Sequence, residues 1–276
     1  MTEVQTVTET EALVVTSLKE GVLCVTLNRP ERLNALTAPM ERLYIETMLA
    51  AADNPEVRVI VVTGAGRAFC AGADLGLLGD MSAGAVRPTK LRRHLFTTTI
   101  AKPIIAAING PCIGVGFAMA MMCDMRFAAL GTKFGPGMAP LGLPAEYGTD
   151  WLLPRVLGLS RAFEVMSSGK LYDGQACLRL GLVNEVLPDA ELLPYVLALA
   201  TQMAATCSPR ALAMIKTQLY GSFDITLADA DRRGETMVSP SLQAADFLEA
   251  AAARKEKRAP VFPPLGVREE WWGGGS

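Results

Sequence analysis

The chain has 276 residues, half of them apolar and a fifth charged, with 26 basic against 28 acidic side chains and a formal net charge of −2. Its mean hydropathy is +0.27 and its isoelectric point lies near 5.6. That balance excludes a disordered or collagen-like chain, and it leaves no global positive field to hold nucleic acid or an anionic membrane, so any anionic ligand must be met locally. The length suits one large domain or two small ones. Cys24, Cys70, Cys112, Cys123, Cys177 and Cys207 are scattered in apolar surroundings without a CxxC pair, and the start of the chain has no basic, apolar leader. Reduced thiols and a cytoplasmic protein are the expectation.

Ala12 to Leu18 and Val22 to Leu27 flank Lys19-Glu20-Gly21 and read as a β-hairpin. A helix follows from Thr37 as N-cap, with apolar residues at Leu43, Met48 and Ala51, until Asn54-Pro55 stops it. Val57 to Thr63 reads as a buried strand, and then come a Gly-rich loop (Gly64 to Gly72) and a polar, helix-like region around residues 75 to 101. The next stretch holds twenty-one uncharged residues between Lys102 and Asp124, about the length of a membrane span. Asn109-Gly110-Pro111 divides it into a buried strand, Ile104 to Ile108, and an apolar core helix, Gly114 to Cys123. Strands alternating with helices imply crossover units and a largely parallel, two-faced sheet. From Ser160 the strand signal fades, and Arg161 to Ser168, Asp173 to Leu180, Ala190 to Thr206, Pro209 to Tyr220 and Ser241 to Lys257 have helical patterns. The division expected is a core over residues 1–200, a helical region over 201–262 and a loosely ordered tail over 263–276.

Histidine is the usual metal ligand and general base, and the chain has one, His94, in the polar run KLRRHLF. A solvated role and a catalytic one both stay open for it, and no metal site is indicated. Gly64-Ala65-Gly66-Arg67-Ala68-Phe69 and Gly114-Val115-Gly116-Phe117 lack the last glycine of a dinucleotide loop, and no P-loop motif exists. Each turn nevertheless delivers backbone N–H groups at the end of a buried strand. Facing each other, they would make an oxyanion hole; alone, their glycines are turn punctuation.

Arg67-Ala68-Phe69-Cys70-Ala71-Gly72-Ala73-Asp74-Leu75, followed by Asn109-Gly110-Pro111-Cys112-Ile113-Gly114-Val115-Gly116 and Met121-Met122-Cys123-Asp124, resembles the crotonase (enoyl-CoA hydratase/isomerase) superfamily. Asn28-Arg29-Pro30, Leu33-Asn34-Ala35-Leu36, Trp151-Leu152-Leu153-Pro154-Arg155 and Gly181-Leu182-Val183 extend the resemblance, which runs from about Ala12 to Phe262. It implies a crotonase (ClpP-like) α/β fold of repeated ββα units with a C-terminal helical trimerisation region. It also implies an acyl-CoA substrate, a homotrimer or hexamer, and no cofactor beyond the coenzyme A carried by the substrate. The two enolate-stabilising N–H groups would be those of Ala73 and Val115. Coenzyme A would be held by Arg32, Leu33 and Ala35, by backbone around Ala71, Asp74 and Leu75, and by basic groups near Lys257 and Phe262, often from a neighbouring subunit. Gly76 stands where many relatives have lysine.

Two positions depart from the hydratase pattern. The paired glutamates of crotonase-type hydratases fall on Ala118 and Met138 here, and neither side chain can move a proton. Glu146, in Leu143-Pro144-Ala145-Glu146-Tyr147-Gly148, stands where Δ3,Δ2-enoyl-CoA isomerases keep their sole glutamate. Moving a double bond from C3 to C2 removes a C2 proton and returns one at C4, so a single carboxylate suffices. Met138, Leu141, Leu143 and Trp151 are expected to surround it and raise its pKa by desolvation. An atypical hydratase using Glu146 alone and a catalytically silent acyl-CoA binder are the alternatives. Glu146 could also be simply an acid at a helix start, Asp150 a second polar group or a cap, and Asp124 a structural residue. The acyl chain is not specified.

Overall fold

The computed structural model describes residues 12–74, 76 and 94–266. Most of the polar region expected to be helical over 75–101, the side chain of His94, and residues 267–276 of the expected tail lie outside them; His94–Thr99 form a short 3-10 turn.

Strands β1 (Val14–Lys19) and β2 (Val22–Leu27) form the expected hairpin, closed by Glu20 and Gly21, both at positive φ. Helix α1 (Ala38–Asp53) starts at Thr37, whose hydroxyl accepts the Met40 N–H, and ends at Asn54 before Pro55. Parallel pairings then add β3 (Val59–Gly64), β4 (Ile104–Ile108), β6 (Met125–Ala129) and β8 (Glu185–Leu187) to a six-stranded sheet ordered β1-β2-β3-β4-β6-β8. A second, two-stranded parallel ladder joins β5 (Cys112–Ile113) to β7 (Phe134–Gly135). Between β5 and β6 lies α2 (Val115–Met121), and after β7 come α3 (Thr149–Leu157), α4 (Leu159–Ser167) and α5 (Gly174–Leu180). The C-terminal layer is α6 (Asp189–Thr206), α7 (Pro209–Gly221), α8 (Leu227–Ser241) and α9 (Ala245–Glu256).

Alternation along the strands divides the core. Ile60, Val62, Ile104 and Ala106 face α1 and α2, whereas Val59, Val61, Ile105 and Ala107 face α6 through Leu192, Val196, Ala200 and Ala204. Strands β3 and β4 are buried on both faces, which explains their unbroken apolar sequences. The twenty-one-residue uncharged run is strand, turn and core helix, and no helix among the described residues is long and apolar enough to cross a membrane. Two corrections concern the C-terminal half. Strand character does not end near Ser160, because Glu185–Leu187 completes the sheet and Tyr172 bridges Phe134. Helix α8 also fills a stretch left without an element. Its apolar residues are sparse, and it begins with a reciprocal Thr226–Asp229 capping box.

Candidate active site

The carboxyl ends of β3 and β4 lead into two loops that polar side chains hold in place. Asn34, fully buried, donates to the carbonyls of Ala65 (3.0 Å) and Ala68 (2.7 Å) and accepts the Arg29 N–H (2.8 Å). Asn109 donates to the carbonyls of Gly64 and Gly66 and accepts the Gly64 N–H at 3.2 Å. Arg29 reaches Asp74 at 2.6 Å and the Ala35 carbonyl at 3.1 Å. That guanidinium, with the Gly76 N–H, holds the Asp74 carboxyl below the usual carboxylate range.

So braced, the loops run side by side. The N–H groups of Phe69 and Cys70 both donate to the Pro111 carbonyl, Ile113 donates to Cys70, and Cys70 pairs with Cys112 in parallel register. Three residues beyond this pair along the chain come Ala73 and Val115. Gly72 (φ +111°) and Gly114 (φ +59°), which precede them, lie close together: a Cβ on Gly114 would sit 3.6 Å from the Gly72 Cα. A Cβ on Gly116 would collide with the Cys70 carbonyl, so the start of α2 requires a glycine there.

The pairing of Leu36 with Ala73 uses the Gly72 carbonyl and the Asp74 N–H, which turns the N–H of Ala73 away from Leu36. Val115 opens α2, where no intrahelical acceptor exists for its N–H. Among the described residues neither amide has an acceptor, while the Val115 side chain is 7 % exposed and packs into the core. Each of these amides follows one of the two close-lying glycines, Gly72 and Gly114.

Other expected site residues gather here. Leu33 accepts the Ala71 N–H, and Ala35 is tied to Asp74 through Arg29, so Leu33, Ala35, Ala71 and Asp74 line one edge with the exposed Arg32 beside them. Gly137 abuts the Ile113 side chain, which brings the buried Met138 to the same region. Ala118 is fully buried one turn into α2. Leu75 lies outside the described residues.

Three expectations need correction or qualification. Glu146 is exposed, as are Leu141 and Leu143, so the described residues do not build the apolar surround expected for it. The Trp151 ring is occupied instead by the Arg155 guanidinium at 4.2 Å and the Phe223 ring at 5.2 Å. Asp150 stands exposed in the first turn of α3, whose N-cap is Gly148. Finally, Phe262 is buried with its carbonyl on Arg58 (2.8 Å), just before β3, whereas the paired loops follow the end of that strand. Phe262, with the exposed Lys257 ahead of it, therefore sits toward the opposite end of the sheet from Ala73 and Val115 of the same chain. Asp124 is structural as expected, bound to the Ile104 N–H (2.7 Å) and Lys216 (2.8 Å). The six cysteines are unpaired.

The profile of the family described as enoyl-CoA hydratase/isomerase matches residues 17–264. A probable enoyl-CoA hydratase, EchA12, of Mycobacterium tuberculosis is 37% identical over 256 residues, covering 86% of this chain and 88% of that one. The 2,3-dehydroadipyl-CoA hydratase of Escherichia coli K12 is 33% identical over 250 residues, covering 90% and 97%. Among solved structures, a probable enoyl-CoA hydratase/isomerase from Mycobacterium abscessus superposes with a TM-score of 0.84 at 26% identity, covering 91% and 99%. An enoyl-CoA hydratase from Polaromonas sp. JS666 gives 0.83 at 32%, covering 90% and 99%. The chain belongs to the enoyl-CoA hydratase/isomerase family of the crotonase superfamily and has its fold.

Proposed function

We propose that this enzyme binds an acyl-CoA thioester, places its carbonyl oxygen on the N–H groups of Ala73 and Val115, and stabilises the enolate formed when C2 loses a proton. The observation that carries the reading is the close approach of Gly72 and Gly114, the residues just ahead of two amides that have no acceptor among the described residues. Leu33, Ala35, Ala71 and Asp74 would then follow the pantetheine and adenine, with Arg32 beside them and Met138 against the acyl group.

The specific reaction proposed is Δ3,Δ2-enoyl-CoA isomerisation with Glu146 as the proton shuttle: its carboxylate takes the C2 proton, the enolate collapses, and the carboxylic acid returns the proton at C4. Support comes from buried, apolar Ala118 and Met138 at the positions of the hydratase carboxylates. The exposed Glu146 calls for a cover, and Leu227 (88 % exposed), Phe163 (70 %) and Leu248 (58 %) give the single chain uncovered apolar surface. A homotrimer, or a hexamer of two trimers, in which a neighbour supplies that cover and brings Lys257 and Phe262 to the phosphates, is part of the proposal. The names of the relatives favour a second reading, hydration of a 2-enoyl-CoA with Glu146 as the only acid-base group.

Assay of 3-enoyl-CoA and 2-enoyl-CoA side by side separates the readings. Isomerase turnover that falls ~10²–10⁴-fold in Glu146→Gln with acyl-CoA affinity kept is the expected result. Incorporation of solvent oxygen at C3 selects hydration, and binding without turnover of either substrate selects a silent binder.

A further inference from the structure

The foot of α2 holds charge that the proposed reaction does not use directly. Arg126 runs beneath the helix and donates through Nη1 to the carbonyls of Cys123 (2.7 Å) and Met121 (3.3 Å), and through Nε to that of Leu182 (2.8 Å). Its own N–H is held by the Asn184 side chain at 2.8 Å. Nearby, Asp124 and Lys216 neutralise each other across 2.8 Å, and the thiol of Cys123 and the phenol of Tyr220 are pushed up by burial and stay protonated. The cluster of Asp124, Lys216 and Arg126 therefore carries one net positive charge at the end of α2 opposite Val115.

We infer that Arg126 is a positioning residue for enolate formation, fixing the last turn of α2 so that the Val115 N–H keeps its place beside Ala73, and biasing the site toward an anion. The inference rests on the two-amide reading above but on neither Glu146 nor the direction of the reaction. Helix α2 is seven residues long, which sets the guanidinium roughly 12–15 Å from an oxyanion at its start. At an effective dielectric constant of ~20, such a charge changes an anion's population by about fivefold to tenfold. Lysine in its place would keep the charge, but one ammonium cannot meet three carbonyls in a planar fork.

The test compares butyryl-CoA, a ground-state ligand, with acetoacetyl-CoA, which on losing its C2 proton to solvent becomes an enolate that absorbs in the near ultraviolet. Affinity for the first and the pH midpoint of enolate formation for the second are measured in wild type, Arg126→Lys and Arg126→Met. Arg126→Met should bind butyryl-CoA within about threefold of wild type and raise the midpoint by roughly 0.7–1 pH unit, the fivefold-to-tenfold loss restated. Arg126→Lys should raise it less but measurably.

An unchanged midpoint in a folded variant overturns the inference, as does an equal loss of both ligands, which would mark general damage. Should Arg126→Met fail to fold, Arg126→Lys decides by the same criteria. A wild type with no enolate band overturns the two-amide reading and this inference together. A wild-type band without turnover of 3-enoyl-CoA overturns the Glu146 assignment alone.

Discussion

Val115 can be tested with unusual economy, because proline is accepted at the first position of a helix and lacks only the N–H. Gly114 ahead of it tolerates the neighbouring ring. Val115→Pro should keep a cooperative thermal transition, lowered modestly by the lost valine packing, while kcat/KM for the preferred enoyl-CoA falls by ~10²–10³-fold. Gly116→Ala should behave differently: the new methyl meets the Cys70 carbonyl, so melting temperature and turnover should drop together. Ala73 and Val115 were singled out by the family resemblance, because the glycines beside them, taken alone, read equally well as turn punctuation. Burial at Glu146 was not legible, since Met138, Leu141 and Leu143 are apolar in sequence but only Met138 turns inward. The bracing asparagines Asn34 and Asn109 belonged to recognised motifs, yet the carbonyls they hold lie about thirty to forty-five residues away, a distance no local pattern reports.

At the level of elements, α6 shows how a helix identifies its own buried face. Leu192, Val196, Ala200 and Ala204 recur every fourth residue and are all buried, with the small alanines at the end nearest Gly21. Leu192→Ala leaves a cavity against β6 and β8 and should cost about 2–5 kcal/mol in urea unfolding, with the denaturant slope unchanged. Helix α8 is the counter-case: of its residues only Met237 is buried, so periodicity had little to register, and the signal present was the Thr226–Asp229 cap. Thr226→Ala should lower stability by only ~0.5–2 kcal/mol. Strand β8 escaped notice because three residues are too few to display a period of two. The β1–β4 segments, longer and apolar, were read almost to their observed bounds.

Taken whole, the molecule carries a pH dependence that its fold creates and no single motif predicts. Burial pushes up the thiols of Cys24, Cys70, Cys112, Cys123 and Cys177, to about 11 for Cys70 and about 12 for Cys123 and Cys177. The unfolded chain releases those protons from about pH 8.5–9, whereas the native state keeps them, so stability is full below that range and is lost as pH rises through it. Lys102, lowered by burial to about 8, and Lys216, lowered for the same reason, oppose this, because the unfolded chain holds protons that the native state has shed. Five thiols outweigh two amines. Melting temperature, measured in reductant from pH 7.5 to 10.5, should therefore fall steadily above about pH 9; a flat profile would contradict the buried thiols. The Arg58 clamp has a consequence in time. Its guanidinium grips the carbonyls of Ala204 and Phe262, 146 and 204 residues downstream. At ~5–20 residues per second on the ribosome, Arg58 waits about 10–40 s for its last acceptor to be made. Until then the strands can pair, but the end of the sheet that Arg58 closes stays open to water, to chaperones and to other nascent chains.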